Sequence, residues 1–215
     1  MILSHRHRFI FIKTNKTAGT SVEIALSRFC GPEDVITPLS EKDEKLRASL
    51  GYPGPQNYKA DDEDKTGFYN HMSAVEIKQL IKPDVWESYF KFCIERNPWD
   101  RLISMYYWRC RREPRPSISE FLESDLPILL KTRGIDLYRI DNEIVVDKIC
   151  RYEDLAEELE GVRVKVGIPE PLELPRAKSN SRKDTRSYRE ILSEQEKMKI
   201  ASLFAEEIET HGYQF

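Results

Sequence analysis

The chain has 215 residues, with 34 lysines and arginines against 37 aspartates and glutamates, a formal charge of −3. That balance gives no bulk attraction to nucleic acid or to an anionic membrane, so any anion site must come from local clustering. Hydrophobic residues make up 40%, enough for a core, yet no apolar run approaches the roughly 20 residues of a membrane span.

The start, M-I-L-S-H-R-H-R, leads into an apolar run too short for a signal-peptide core, so a cytoplasmic protein is the default expectation. Residues 8–14 (R-F-I-F-I-K-T) are a β-rich run that predicts a buried strand. A polar turn at 15–19 follows. A helical pattern then passes through Val22, Ile24, Ala25, Leu26 and Phe29, and Gly31-Pro32 stops it. Residues 41–65 are dense in charge, with G-Y-P-G-P at 51–55 and D-D-E-D at 61–64. A surface insertion covering 41–70 is expected, inside a single domain of 1–215.

A helix is expected from about Ser73, where the Ser73-x-x-Glu76 spacing makes a capping box, and Pro83 lies beyond its end. Residues 89–95 (Y-F-K-F-C-I-E) predict a second strand. Asn97 then suits an N-cap, Pro98 the first helical position and Asp100 the positive end of the dipole. That helix should run to about Arg112. A short helix follows Ser117, a third strand is expected at 144–150 and a helix at 152–159. Residues 172–189 are irregular and basic. A last helix should run from Ser193 to about Thr210. Strands alternating with helices predict an α/β fold: a three-layer sandwich, P-loop-like, with a central, mainly parallel sheet. In such sheets ligands sit outside the carboxyl ends of the strands.

Two strand-to-helix loops carry the sharpest chemistry. The first is Lys16-Thr17-Ala18-Gly19-Thr20-Ser21. The N–H groups of a helix start, an ammonium and three hydroxyls can cradle a phosphate there. It is not a Walker A loop, because Lys16 precedes the only glycine. An ordinary turn with a surface lysine has the same local pattern. The second loop is Arg96-Asn97-Pro98-Trp99-Asp100-Arg101-Leu102-Ile103-Ser104. Arg101, Ser104 and Trp108 share a helix face, and Leu102, Met105 and Tyr106 make the better core face. An arginine fork plus a hydroxyl can hold a second phosphate. The alternative is that Arg96 pairs with a carboxylate and Ser104 satisfies a backbone carbonyl. Taken together, the loops suit a ligand with two separated anionic groups.

At these residues the chain resembles a known family. F-I-F-I-K-T-N-K-T-A-G-T-S is similar to the 5′-phosphosulfate loop of sulfotransferases, and R-N-P-W-D-R-L-I-S to their 3′-phosphate motif. His71-Met-Ser-Ala-Val-Glu-Ile and Arg151-Tyr-Glu-Asp-Leu resemble two further segments of the carbohydrate-type branch, Golgi-like and bacterial. Asn15 stands where that family usually has proline. The resemblance implies 3′-phosphoadenosine 5′-phosphosulfate (PAPS) as donor, its bisphosphate (PAP) as product, no metal, and an acceptor hydroxyl, with carbohydrate as the lead. It implies that residues 16–21 hold the 5′-phosphosulfate, that Arg96 and Ser104 hold the 3′-phosphate, and that Arg151 belongs to the nucleotide site. A late basic loop with Arg176, Lys178, Arg182, Lys183, Arg186 and Arg189 would close over the nucleotide. Lys16 would stabilise the leaving oxygen and His71 would be the base, with Glu23 as fallback.

Two other readings stand beside this one. A P-loop kinase using magnesium ATP would need an aspartate at a strand end, and Asp147 is the one weak candidate. A degenerate sulfotransferase fold would bind nucleotide without turnover. Cys30, Cys93, Cys110 and Cys150 are too scattered for a zinc site and are read as free thiols. Tyr52, Tyr58, Tyr69, Trp108 and Tyr138 could stack on an acceptor or simply pack. Arg109, Arg111, Arg112 and Arg115 could meet an anionic acceptor or be a solvated helix end.

Overall fold

The computed structural model describes residues 1–60, 67–175 and 184–215. In chain order the elements are β1 (Ile2–Ser4), β2 (Phe9–Phe11), α1 (Gly19–Ser27), β3 (Val35–Ile36), α2 (Glu41–Ser49), α3 (Ala74–Leu80), α4 (Pro83–Ser88) and β4 (Phe90–Glu95). Then come α5 (Pro98–Arg109), α6 (Ile118–Leu122), α7 (Leu126–Thr132), a 3₁₀ turn (Ile135–Leu137), β5 (Arg139–Ile140), β6 (Glu143–Ile144) and β7 (Lys148–Arg151). The rest are α8 (Leu155–Lys165), α9 (Tyr188–Ile191), α10 (Glu194–Leu203) and α11 (Ala205–His211). Among the described residues, no helix is long and apolar enough to cross a membrane.

The sheet order is β3-β1-β2-β4-β7. β2, β4 and β7 pair in parallel, while β1 is antiparallel to both neighbours, so four of the five strands run one way. This is the mostly parallel α/β fold expected. Alternation along the strands builds the two faces. Phe9, Phe11, Phe92 and Ile94 pack under α1 and α8, against Val22, Leu26, Leu159 and Val162. Ile10, Ile12 and Cys93 face the other way, onto Ala74, Ile77 and Trp86 of α3 and α4. A third cluster gathers Leu102, Met105, Phe121, Ile200 and Phe204 from α5, α6 and the C-terminal helices.

Several expectations need correction. Residues 2–4, which the sequence presents only as a lead-in, form strand β1; three residues are too few for periodicity to register. Residues 143–144 form a separate hairpin with β5, and only 148–151 join the sheet. The final helix breaks at Phe204, which is fully buried. The largest difference is at 41–70, expected as a surface insertion. Its first nine residues are α2, capped by Ser40, with Asp43 and Arg47 buried. Farther on, Gln56 exchanges two backbone hydrogen bonds with Ile36, at 3.0 and 3.1 Å, along the sheet edge. The helix has almost no apolar stripe. It is held instead by charge, which a hydrophobic pattern does not register.

That charge centres on Glu23 of α1. One carboxylate oxygen, Oε2, lies 2.8 Å from Lys13 Nζ. The other, Oε1, accepts from Thr37 Oγ1 at 3.1 Å and lies 3.3 Å from the Met1 amine and 3.7 Å from Arg47. The side chains of Glu23, Lys13 and Arg47 are essentially inaccessible to solvent. Burial works to raise the Glu23 carboxyl, but Lys13, the Met1 amine and Arg47 overcome it and hold it below the usual range. Removing one partner of such a group leaves buried charge uncompensated. Glu23→Gln should therefore cost about 3–5 kcal/mol of stability, read as a lowered urea midpoint. A midpoint within error of wild type would contradict this account of how α2 is anchored.

Candidate active site

The parallel register of β2 with β4 sets the two loops side by side. Ile12 N–H continues the ladder to the Phe92 carbonyl at 2.9 Å. One residue pair farther on, the Thr14 hydroxyl donates to the Ile94 carbonyl and lies 2.8 Å from the Thr17 hydroxyl. The chain then turns sharply. Lys16 and Ala18 both take left-handed backbone conformations, with φ of 65° and 61°. Ala18 is the residue before α1, and Gly19 opens the helix. A Cβ at Gly19 would meet Lys13 Cγ at 2.7 Å, so only glycine lets the lysine stem pass on its way to Glu23.

The backbone N–H groups of Thr17, Ala18, Gly19 and Ser21 are not given to any acceptor among the described residues. They form a concave donor set at a helix start, the geometry of an anion nest. Thr17 departs from the expectation for its side chain: it is fully buried and its hydroxyl is spent within the loop, on Thr14. Its contribution to a ligand is its N–H. Asn15 has a use that proline could not fill, because its N–H donates to the Arg133 carbonyl at 2.8 Å.

The second loop leaves β4 at Glu95. Asn97 caps α5 through Trp99 N–H at 3.2 Å, its own N–H donates to Glu153 at 2.7 Å, and its amide nitrogen donates to the Gln214 carbonyl at 3.0 Å. Arg96 is clamped from three sides. Nε and Nη2 donate to Asp100 Oδ2 at 2.9 and 2.6 Å, Nη1 donates to the Lys16 carbonyl at 3.2 Å, and the guanidinium lies 3.9 Å from the Tyr152 ring centre. The carboxylate pairing left open by the sequence is thus present, and part of the fork remains available to a second anion. Ser104 is half-buried on α5, and its hydroxyl has no partner among the described residues. It does not satisfy a backbone carbonyl.

Arg101 does not share that face. It is fully buried and pairs with Glu95 at 2.7 Å and Glu207 at 3.3 Å. A Cβ at Gly134 would meet its Nη1 at 2.6 Å. Lys16 Nζ lies 5.0 Å from the Trp108 ring centre, two turns along α5 from Asp100.

Arg151 pairs in register with Glu95 and so stands beside Arg96. Its guanidinium donates to the His211 carbonyl at 2.6 Å. It lines a cleft of about 380 Å³ with Asn97, Asp100, Glu153, Tyr188, Arg189 and the C-terminal tail. Lys16 and Ser104 are not among its walls. Of the late basic stretch, Arg186 pairs with Asp184 at 2.7 Å and Arg189 lines the cleft. Arg176, Lys178, Arg182 and Lys183 lie outside the described residues.

His71 precedes the Ser73 cap by two residues, in a left-handed conformation with φ of 62°. Its Nδ1 lies 2.8 Å from the Lys13 carbonyl. A carbonyl only accepts, so Nδ1 carries the proton and Nε2 keeps the lone pair. Burial, with Lys13, the Met1 amine and Arg133 nearby, lowers its pKa from the usual 6.5 to about 3. Glu23, the fallback base, is committed to the buried pair described above and faces no solvent. Asp147 lies just before β7, at the amino end opposite these loops, and pairs with Lys91 at 3.2 Å, so it does not stand where a magnesium-binding aspartate is needed.

Comparison with known proteins identifies the family. The sulfotransferase family profile matches residues 1–143. The chain belongs to the sulfotransferase family. It is 33% identical over 125 residues to an uncharacterized protein of Archaeoglobus fulgidus, covering 56% of this chain and all of that one. The fold is similar to that of mouse sulfotransferase SULT7A1, a structure complexed with PAP, with a TM-score of 0.54 and 17% identity over 96% of this chain and 85% of that one. The Asp100 half of the clamp lies at the i,i+4 spacing from Arg96 and is open to sequence reading as a carboxylate pairing; the Tyr152 half is not, because that ring comes from beyond β7, distant in sequence.

The low His71 pKa has a consequence for stability. The unfolded chain takes up a proton near pH 6.5 while the folded chain resists until about pH 3. Stability must then fall as the pH drops through that window. His71→Asn keeps a side chain that tolerates the left-handed backbone, and should flatten the slope of stability against pH between those limits. An unchanged slope would contradict the half-buried, neutral state of His71.

Proposed function

We propose that this sulfotransferase moves a sulfuryl group from PAPS to an acceptor hydroxyl, with carbohydrate as the acceptor class. One observation carries the reading. The two anion-binding loops meet directly, Arg96 Nη1 donating to the Lys16 carbonyl at 3.2 Å, as a donor with two anionic ends requires. The N–H groups of residues 17–21, with the hydroxyls of Thr20 and Ser21, receive the 5′-phosphosulfate. Arg96 and Ser104 receive the 3′-phosphate. Arg151 bounds the nucleotide site, and Arg182 and Lys183 are assigned to it on the family resemblance.

The chemistry is an in-line displacement. A bond forms between the acceptor oxygen and sulfur as the bond from sulfur to the 5′-phosphate oxygen breaks. His71 Nε2 takes the hydroxyl proton, and the Lys16 ammonium stabilises the charge growing on the leaving oxygen. The Nδ1 bond to the Lys13 carbonyl holds the ring in the tautomer a base needs.

Calorimetric titration with PAP, ADP and magnesium ATP, the first two without metal, tests the donor class. PAP should bind clearly tighter than the other two; tighter magnesium ATP would refute the reading. In turnover assays His71→Asn should lose about 10²–10⁴-fold in kcat with PAP affinity nearly intact. Lys16→Ala should lose about 10²–10³-fold while keeping some PAP binding. Unchanged kcat in both variants would sink the mechanism.

A further inference from the structure

Three cations stand around one indole beside the first loop. Lys16 Nζ lies 5.0 Å from the Trp108 ring centre, Arg109 Cζ 4.5 Å and Arg111 Cζ 5.8 Å. Arg109, Arg111 and the neighbouring Arg112 are exposed. Some other surface arginines are matched by acids, Arg139 with Asp136, Arg163 with Glu160 and Arg186 with Asp184, while Arg6, Arg8, Arg133 and Arg189 pair with no acid among the described residues. Arg115, close in sequence, is matched as well, pairing with Glu113 at 3.0 Å. Arg109, Arg111 and Arg112 form no such pair among the described residues. Like charges gathered so closely repel one another. The carboxyl end of α5 accounts for one cation there but not for this group. Arg111 is also fixed in place, its Nε donating to the Trp108 carbonyl at 3.0 Å.

The donor does not explain these arginines. Its two anionic ends are assigned to the first loop and to Arg96 with Ser104; Arg96 lies at the opposite end of α5, and Ser104 lies within the helix. That helix runs from Pro98 to Arg109, roughly 16 Å along its axis at 1.5 Å per residue. Arg109 and Arg111 therefore stand around Trp108 beside Lys16, which the proposed mechanism puts at the transferred group, and at the end of α5 away from Arg96.

We propose that Arg109 and Arg111 bind an anionic group of the acceptor. The sulfated hydroxyl then belongs to a saccharide that already bears a carboxylate or a sulfate ester. This rests on the sulfuryl-transfer reading and deepens it, since a protein of net charge −3 attracts such a substrate only through a local basic patch.

The test uses the full chain saturated with PAP and three polymers that share one backbone: dextran, carboxymethyl-dextran and dextran sulfate. Calorimetry should show binding of at least one charged polymer and none of dextran, and the tighter of the charged pair identifies the anion. Arg109→Ala with Arg111→Ala should weaken that binding about tenfold or more, in line with loss of charge-assisted hydrogen bonds. Lys42→Ala with Lys45→Ala removes the same charge from the exposed face of α2 and should leave the binding unchanged. Equal binding of dextran, no binding of either charged polymer, or equal losses in the two double variants would each overturn the proposal. So would a tenfold loss of PAP affinity in the arginine variant, which would assign these residues to the donor. Failure of the wild-type chain to bind PAP at all brings down the sulfotransferase reading and this inference together; failure of the polymers alone brings down only this one.

Discussion

The parallel pairing of β2 with β4 is the constraint on which the site depends. Parallel strands present their carboxyl ends on the same side, so each hands its chain to a helix at the same edge of the sheet. Phe11 lies opposite Phe92, and the ladder continues through Ile12. Lys16 stands five residues past Phe11 and Arg96 four past Phe92, so both loops open at the same edge. A register shift of one residue would turn Phe9 and Phe11 out of their core and separate Lys16 from Arg96. Hydrophobic burial in the two sheet faces thus sets the distance between two groups of polar atoms that contribute nothing to the core themselves.

Above that frame, buried charge does work that apolar packing does elsewhere. Glu23 with Lys13 and Arg47 ties α1, the end of β2 and α2 together under one face of the sheet. Arg101 with Glu95 and Glu207 ties β4, α5 and α11 on the other side of the second loop. Each group lies directly behind one anion loop. Lys13 passes under Gly19, and Glu95 is the residue before Arg96. Buried ion pairs add little net stability when balanced against desolvation, but they penalise any rearrangement that separates the partners. Both loops are consequently backed by something costly to move, which suits a site whose donors must be in position before the substrate arrives.

The two candidate catalytic groups are held by opposite means. His71 is drawn toward the protein, its ring fixed on the Lys13 carbonyl and kept neutral by burial among positive charges. Lys16 is drawn toward α5, over the Trp108 indole. Trp108 thereby links the first loop to the arginine-rich end of the same helix. The helix that begins at Arg96, the proposed 3′-phosphate contact, ends in a basic cluster beside Lys16.

Local chemistry was enough to read several features from the residues alone. The K-T-A-G-T-S turn, the Asn97-Pro98 helix start and the Ser73 and Ser193 capping boxes are all made by neighbours within four residues, so they are legible in a single sequence. The strand–helix alternation, and with it the fold class, follows from periodicity. Only the tertiary structure decided the rest. β1 and β3 are too short to carry a pattern and exist because they complete the sheet edge. The helix α2 forms in a charged segment because Arg47 finds Glu23 in a distant part of the chain. Arg101 and Arg96 are alike in sequence context, yet one is buried between two glutamates and the other faces the loop. Which arginine meets which partner depends on how α5 rotates against β4 and the C-terminal helices, and that is set by long-range packing rather than by spacing.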